Sequence, residues 1–330
     1  MTMTNEVMEQ FDLARGDIQD AQADAQRASL QHIDGLLFAD SLHEVAESFG
    51  AASNANVARE LKLSYAAKFT ARYLDFRQGK SRAEAVKPNL TDQQLTALTK
   101  LGDELNMTGI TSAFERPADI YVAHGSYGPG INERLLWTKQ HLDVQADRFP
   151  DVTPIVVGAT SDRPVVEADR PRPLTLAPYA RTERHIMDGG FTRILRGRQI
   201  EPSDSGGNIR HYELPAGASG VTFSASKIEG RHLPNTADTH LHTATVLGAE
   251  ALYGAEVVGV TTQVYVPFQK GDLLRTLGLG YGARIRMVGY RDPTVTQPHH
   301  IGQEYKAAID QAVKLYQEVL VQRADRSHEL

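Results

Sequence analysis

The chain has no cysteine, one tryptophan and no long apolar run, and each absence removes a class of function. Without cysteine there is no disulfide, thiolate zinc site, iron–sulfur cluster or thiol nucleophile, so any metal would have to sit on histidine and carboxylates. No apolar stretch approaches the roughly 18 residues that a membrane-crossing helix requires. The first residues are rich in Thr, Glu and Asp, where a signal peptide would be basic and then apolar. The expectation is a cytoplasmic protein with no membrane span. Strong charge is missing too: 35 basic side chains stand against 41 acidic ones, a formal net charge of −6. That balance gives no whole-surface footprint for nucleic acid. What remains is a chain of 330 residues, long enough for about two domains with cores of their own.

Proline is nearly absent from residues 1–106, where Pro88 stands alone among Ala, Leu, Gln, Glu and Asp. Such a composition favours helix. Apolar residues recur at helical spacing in Ile33, Leu36, Leu37, Leu42, Val45 and Phe49, and again in Leu61, Leu63, Tyr65, Phe69, Tyr73 and Phe76. Gly50 and Gly79 offer stops, and Asn89-Leu90-Thr91-Asp92 offers a capped start. Residues 1–116 therefore read as an all-α lobe, whose polar first 30 residues are open between disorder and an interaction helix. Beyond Pro117 short apolar runs alternate with helical stretches: 119–123, 154–160, 255–262 and 283–289, each ending in Gly or hydroxyl residues. This pattern predicts a Rossmann-like α/β domain over 117–330, a mostly parallel sheet with helices on both faces. A Pro- and Gly-rich insertion at 161–234 is expected to carry extra strands at 209–214 and 221–226 and a flap.

Ligands of open α/β sheets sit at the carboxyl ends of the strands, and that rule selects the candidate site. The loop His124-Gly125-Ser126 follows the first strand and precedes a helix carrying Arg134; it lacks the dinucleotide fingerprint, and no acidic residue is convincingly placed after the next strand. His124 is the candidate for proton transfer, since an imidazole titrates near neutrality. Gly158 to Arg163 close the second strand, with Arg163, or Arg134, to hold an anion. Asn235 and Thr236 open a helix, and Thr261, Thr262 and Gln263 offer uncharged hydrogen-bonding groups. Asp238-Thr239-His240-Leu241-His242 looks like the His-x-His signature of metal-dependent hydrolases. The stripe Ala237, Leu241, Ala244, Leu247 and Ala251 makes that segment helical, however, and puts the two imidazoles about 200° apart. No metal is expected. A metal-dependent hydrolase using His240 and His242 remains the remotest alternative.

The string Asn235-Thr236-Ala237-Asp238-Thr239, then Val260-Thr261-Thr262-Gln263-Val264-Tyr265-Val266-Pro267-Phe268-Gln269 and Leu277-Gly278-Leu279, resembles an uncharacterised bacterial branch of the YdcF/SanA/ElyC family over about residues 117–290. The resemblance implies a Rossmann-like crevice, a link to cell-envelope metabolism and a small anionic or nucleotide-like ligand such as S-adenosylmethionine. It carries over Gly125, Gly158, Asn235, Thr236, Thr261 and Thr262. That family continues its third motif with a His and an Arg-Ala pair, where this chain has Val266-Pro267-Phe268-Gln269. The competing reading is a non-catalytic regulatory or scaffold protein that binds a partner through its helical lobe.

Overall fold

Ala-, Gln- and Glu-rich stretches form the helices and β-branched runs form one sheet, in a computed structural model that describes residues 5–51, 57–78, 87–125, 128–161, 163–164, 180–200, 208–225 and 236–328, with backbone alone for 5–16, 128–129 and 326–328. The N-terminal helices are α1 (Asn5–Leu37), α2 (Ser41–Ser48), α3 (Arg59–Tyr73) and α4 (Asp92–Glu104). The polar opening of the chain thus lies largely in α1. Ile33, Leu36, Leu37, Val45, Leu63 and Phe69 are buried as their spacing predicts, whereas Leu61 is 62% exposed. Thr91 caps α4 in a capping box: its hydroxyl accepts from the Gln94 backbone and the Gln94 side chain accepts from the Thr91 backbone.

The strands are β1 (Ile120–His124), β2 (Ile155–Ser161), β3 (Arg198–Ile200), β4 (Ile209–Glu213), β5 (Ser219–Ala225), β6 (Glu256–Thr262) and β7 (Arg284–Tyr290). They form one seven-stranded sheet in the order β3-β4-β5-β2-β1-β6-β7. The pairs β5–β2, β2–β1 and β1–β6 are parallel, while β3–β4 and β4–β5 are antiparallel. The insertion therefore supplies a core parallel strand, β5, as well as an antiparallel edge. Every residue of β1 is buried, as expected of a parallel strand covered on both faces.

The remaining helices are α5 (Gly128–Arg148), α6 (Glu183–Arg193), α7 (Thr236–Leu247), α8 (Val266–Leu273), α9 (Leu279–Tyr281) and α10 (Pro298–His328), with a π turn at Leu274–Gly278 between α8 and α9. Neighbouring residues of β5 show which faces α6 and α7 cover. Thr222 donates to Asp188 of α6, whereas the Phe223 ring meets His242 of α7. Adjacent strand residues point to opposite faces, so α6 and α7 lie on opposite sides of the sheet.

The chain divides into two compact units: Met1–Ala28, Ala113–Val260 and Leu273–Arg286 in the first, and Ser29–Ser112, Thr261–Asp272 and Met287–Leu330 in the second. One boundary between the units lies at 112/113. The second unit nevertheless includes the C-terminal helix, because α10 packs on α3 and α4 and the Tyr305 hydroxyl donates to Leu36 O at 2.8 Å. Among the described residues no helix is long and apolar enough to cross a membrane.

Candidate functional site

In the first unit β1 leads through α5 to β2 and on to β5 in one direction, while β6 lies on the other side of β1. The chain reverses at β1, and in open α/β sheets ligands bind at the carboxyl ends of strands beside such a reversal. Three polar groupings occupy that edge.

The first is a pair of buried imidazoles. His124, the last residue of β1, is 2% exposed and His240 of α7 is 0% exposed. Their Nε2 atoms are 2.7 Å apart, and His124 Nδ1 lies 3.2 Å from Val260 O. A carbonyl oxygen only accepts, so Nδ1 of His124 carries the proton; its Nε2 lone pair then accepts from Nε2–H of His240. Burial is the main cause that lowers the His124 pKa to about 3, and the nearby Arg134 charge lowers it further, against the bond to Val260 O. His124 is therefore neutral near pH 7, with both ring nitrogens engaged inside the protein. The α7 face that meets it differs from the expected stripe: Ala237, His240 and Ala244 are buried and Leu241 is 50% exposed. His242, on another face of the helix, packs edge-on against Phe223 with centroids 4.9 Å apart.

The second grouping is the start of the loop after β1. Gly125 N donates to Ala159 O at 2.6 Å. Arg134, 1% exposed, donates from Nη1 to His124 O at 2.7 Å and to Gly125 O at 2.5 Å. Its guanidinium is directed at backbone carbonyls and fixes the exit of β1.

Glu183, at the first position of α6, centres the third. Ser161 Oγ, at the end of β2, donates to Glu183 Oε2 at 2.9 Å, and Arg163 Nε donates to Oε1 at 2.9 Å. Glu183 N in turn donates to Arg163 O at 3.1 Å, and Pro164 bridges Thr182, the N-cap of α6. The long excursion after β2 thus returns to its own starting point. The Glu183 side chain is 8% exposed and that of Arg163 33% exposed. Burial is the largest influence on the Glu183 carboxyl and raises its pKa against the opposing pull of Arg163 and Ser161. A Cβ on Gly125 would stand 3.1 Å from Glu183 Oε2 and 3.1 Å from Thr160 Cα, so glycine keeps this approach open.

The structure thus brings Gly125 and Arg163 together around Glu183, with His124 and Arg134 behind them. Gly158 has a different place: it lies within β2, which continues to Ser161, and a Cβ there would meet Met187 Cγ at 2.7 Å and Phe191 Cε2 at 2.8 Å. Thr236 opens α7, and its carbonyl accepts from Thr239 Oγ1 at 2.6 Å. Ser126 and Asn235 lie outside the described residues. Thr261, Thr262 and Gln263 belong to the second unit, where Thr262 Oγ1 donates to Tyr290 Oη at 2.9 Å and Gln263 Nε2 donates to Thr111 Oγ1 at 2.9 Å. Among the described residues no three His, Asp or Glu side chains gather where they could hold a metal ion. A cavity of about 270 Å³ opens at the other edge of the sheet, lined among others by Pro154, Leu195, Arg196, Pro215 and Ala218; it contains none of the candidate residues.

Residues 20–106 match the family model described as the Rv3785 N-terminal domain. The match covers about a quarter of the chain, from within α1 to just past α4, and is a similarity of that helical stretch alone. No curated protein and no solved structure matches the chain. The sheet and its carboxyl edge are therefore interpreted from their own geometry.

Glu183 is the residue that the sequence reading missed. Residues 162–182 separate Glu183 in the chain from the second strand, whose end it rejoins through Ser161 and Arg163. Thr182-Glu183, a cap residue followed by an acid before a helix, is the local signal that marks it.

Proposed function

We propose that the first unit binds a small anionic or nucleotide-like ligand, with S-adenosylmethionine among the candidates, at the carboxyl ends of β1 and β2. The observation that carries this reading is the buried Glu183 carboxylate, held between Ser161 and Arg163 beside Gly125 at the edge next to the chain reversal. A carboxylate taken out of water is costly unless it is paired. Here it is paired, with a guanidinium that still has a third of its side chain exposed. Arg163 is the group to meet an anionic part of the ligand, since its planar fork matches carboxylate and phosphate. Arg134 supports the loop from below. His124, neutral and tied to His240, sets the position of the β1 end without exchanging protons near neutrality. The reading agrees with the resemblance to the YdcF/SanA/ElyC family, whose members are expected to use the same edge.

The test is a thermal-shift panel of S-adenosylmethionine, nucleotides, sugar nucleotides and sugar phosphates, with native mass spectrometry of the purified protein. A ligand of the folded state raises the melting temperature with its concentration, and Arg163→Ala should abolish the shift; its ligand-free melting temperature should fall as well, because the buried Glu183 carboxylate loses its charged partner. If no compound shifts the melting temperature and nothing co-purifies, the reading fails.

A further inference from the structure

The cavity of about 270 Å³ belongs to the first unit and lies at the amino ends of the strands, away from Gly125 and Glu183. Pro154 directly precedes β2 and Ala218 directly precedes β5. Ser219 N joins the two strand starts by donating to Pro154 O at 3.2 Å. Leu142 and Ala146 of α5 and Leu195, just past α6, add apolar wall. The volume approaches the roughly 300–1,000 Å³ of small-molecule sites. Three lining residues are prolines, Pro150, Pro154 and Pro215, whose fixed φ holds the walls in shape before a ligand arrives.

The charged side chains of the lining are two cations, Lys139 and Arg196, against one carboxylate, Asp143. Lys139 pairs with Asp143 one turn further along α5, which leaves the guanidinium of Arg196 as the uncompensated charge. No hydrogen bond or ion pair to a described residue engages Arg196. Its backbone is left-handed, with φ 56°, a conformation that is costly for a residue with a Cβ and free for glycine. Nor is the guanidinium needed to close α6. Gly190 O accepts from Ile194 N at 2.8 Å and from Leu195 N at 3.2 Å, and Phe191 O accepts from Gly197 N at 2.9 Å, so the backbone itself takes up carbonyls of the last turn. Ala216, on the turn between β4 and β5, lines the same cavity and is also left-handed, with φ 57°. Two segments distant in the chain thus hold unfavourable backbone around one apolar space, as binding sites do.

We infer that this cavity binds a small apolar monocarboxylic acid in its ionised form. Its carboxylate meets the planar fork of Arg196, with Lys139 beside it, and its hydrocarbon leaves water against Leu142, Ala146, Leu195 and Ala218. The site is a second one in the first unit and does not depend on the ligand of the carboxyl edge.

Calorimetric titration of the full chain with octanoate and with 3-phenylpropionate tests it, each beside the alcohol and the amine of the same carbon skeleton. At least one acid should bind. Its alcohol should bind about tenfold more weakly, as expected for a lost hydrogen bond between charged groups, and its amine more weakly still. Arg196→Gly removes the guanidinium and adopts the left-handed backbone without strain, so the variant folds; it should bind the acid about tenfold more weakly and the alcohol almost as the wild type does. Ala146→Leu keeps a good helix former on α5 and fills part of the cavity, and should weaken acid and alcohol alike. The inference is overturned if neither acid binds, if acid and alcohol bind equally, or if either variant binds the acid as the wild type does. None of these results bears on the carboxyl-edge ligand, whose own panel contains no apolar acid.

Discussion

Replacing His124 with glutamine should change how stability depends on pH in a way that separates a buried neutral imidazole from an ordinary one. In the folded protein burial lowers the His124 pKa to about 3 from the ordinary 6.5. The unfolded chain therefore takes up a proton below pH 6.5 that the native state refuses until about pH 3. Stability from this group is complete above pH 6.5 and is lost as pH falls, at about 1.4 kcal/mol per pH unit within the window. Between pH 6 and pH 4 the loss is about 2–3 kcal/mol. Glutamine does not titrate, and its amide oxygen can accept from His240 Nε2–H. Val260 O loses its donor, so His124→Gln should be less stable at pH 7 by about 1–3 kcal/mol. Its stability should then fall less steeply with acid, and the two curves should converge by about 2–3 kcal/mol from pH 6 to pH 4. His32 of the second unit, also held low by burial and by Lys270, is common to both proteins and drops out of the difference. Urea unfolding followed by fluorescence is the assay. The single tryptophan, Trp137 on α5, lies in the first unit. Its ring centroid is 6.2 Å from that of His141, so midpoints and slopes should be compared and amplitudes ignored. Parallel stability curves for the two proteins would refute the reasoning.

Three further substitutions test other parts of the structure. Gly158→Ala would press a methyl group against Met187 and Phe191, both fully buried, and should cost about 1–3 kcal/mol of stability by overpacking; an unchanged melting temperature would show that the β2–α6 contact is looser than described. Arg134→Met keeps the volume of the buried stem but removes the donors to His124 O and Gly125 O, so chemical denaturation should show a loss of about 2–3 kcal/mol, and a neutral outcome would mean the loop needs no such support. Thr91→Ala breaks the capping box of α4 and should lower stability by about 1 kcal/mol, whereas Thr91→Ser should recover most of it; equal effects of both would count against the cap.

The pattern of apolar residues made the strands legible. The runs at 119–123, 154–160, 255–262 and 283–289 coincide within a residue or two with β1, β2, β6 and β7, because strands buried on both faces must be continuously apolar. The strands expected at 209–214 and 221–226 are β4 and β5, but sequence could not show that β5 joins the parallel core, since pairing with β2 depends on contacts more than 60 residues apart. The rotation of α7 was illegible for a similar reason. Counting hydrophobicity turns Leu241 inward, yet the inward residue is His240, whose ring meets a partner 116 residues earlier in the chain. Periodicity cannot weigh a polar side chain whose burial depends on a single distant bond. Glu183 escaped because the residues that give it meaning, Ser161 and Arg163, lie about 20 positions before it.

The two ionisable groupings at the carboxyl edge divide the work between them by opposite means. The imidazole pair is uncharged on His124, and both ring nitrogens of that residue are engaged by protein partners. Such a pair can set backbone position on β1, β6 and α7 but offers an incoming molecule nothing to bind. Glu183 and Arg163 compensate each other, with the Glu183 side chain 8% and that of Arg163 33% exposed; a pair of this kind costs desolvation to assemble, and that cost is recovered when a ligand binds against it. If the edge served folding alone, an apolar pair at 163 and 183 would be as stable or more so. A double replacement, Arg163→Met with Glu183→Leu, therefore distinguishes the roles: retained or increased stability with complete loss of ligand binding marks the pair as a recognition element, whereas a large loss of stability marks it as part of the fold.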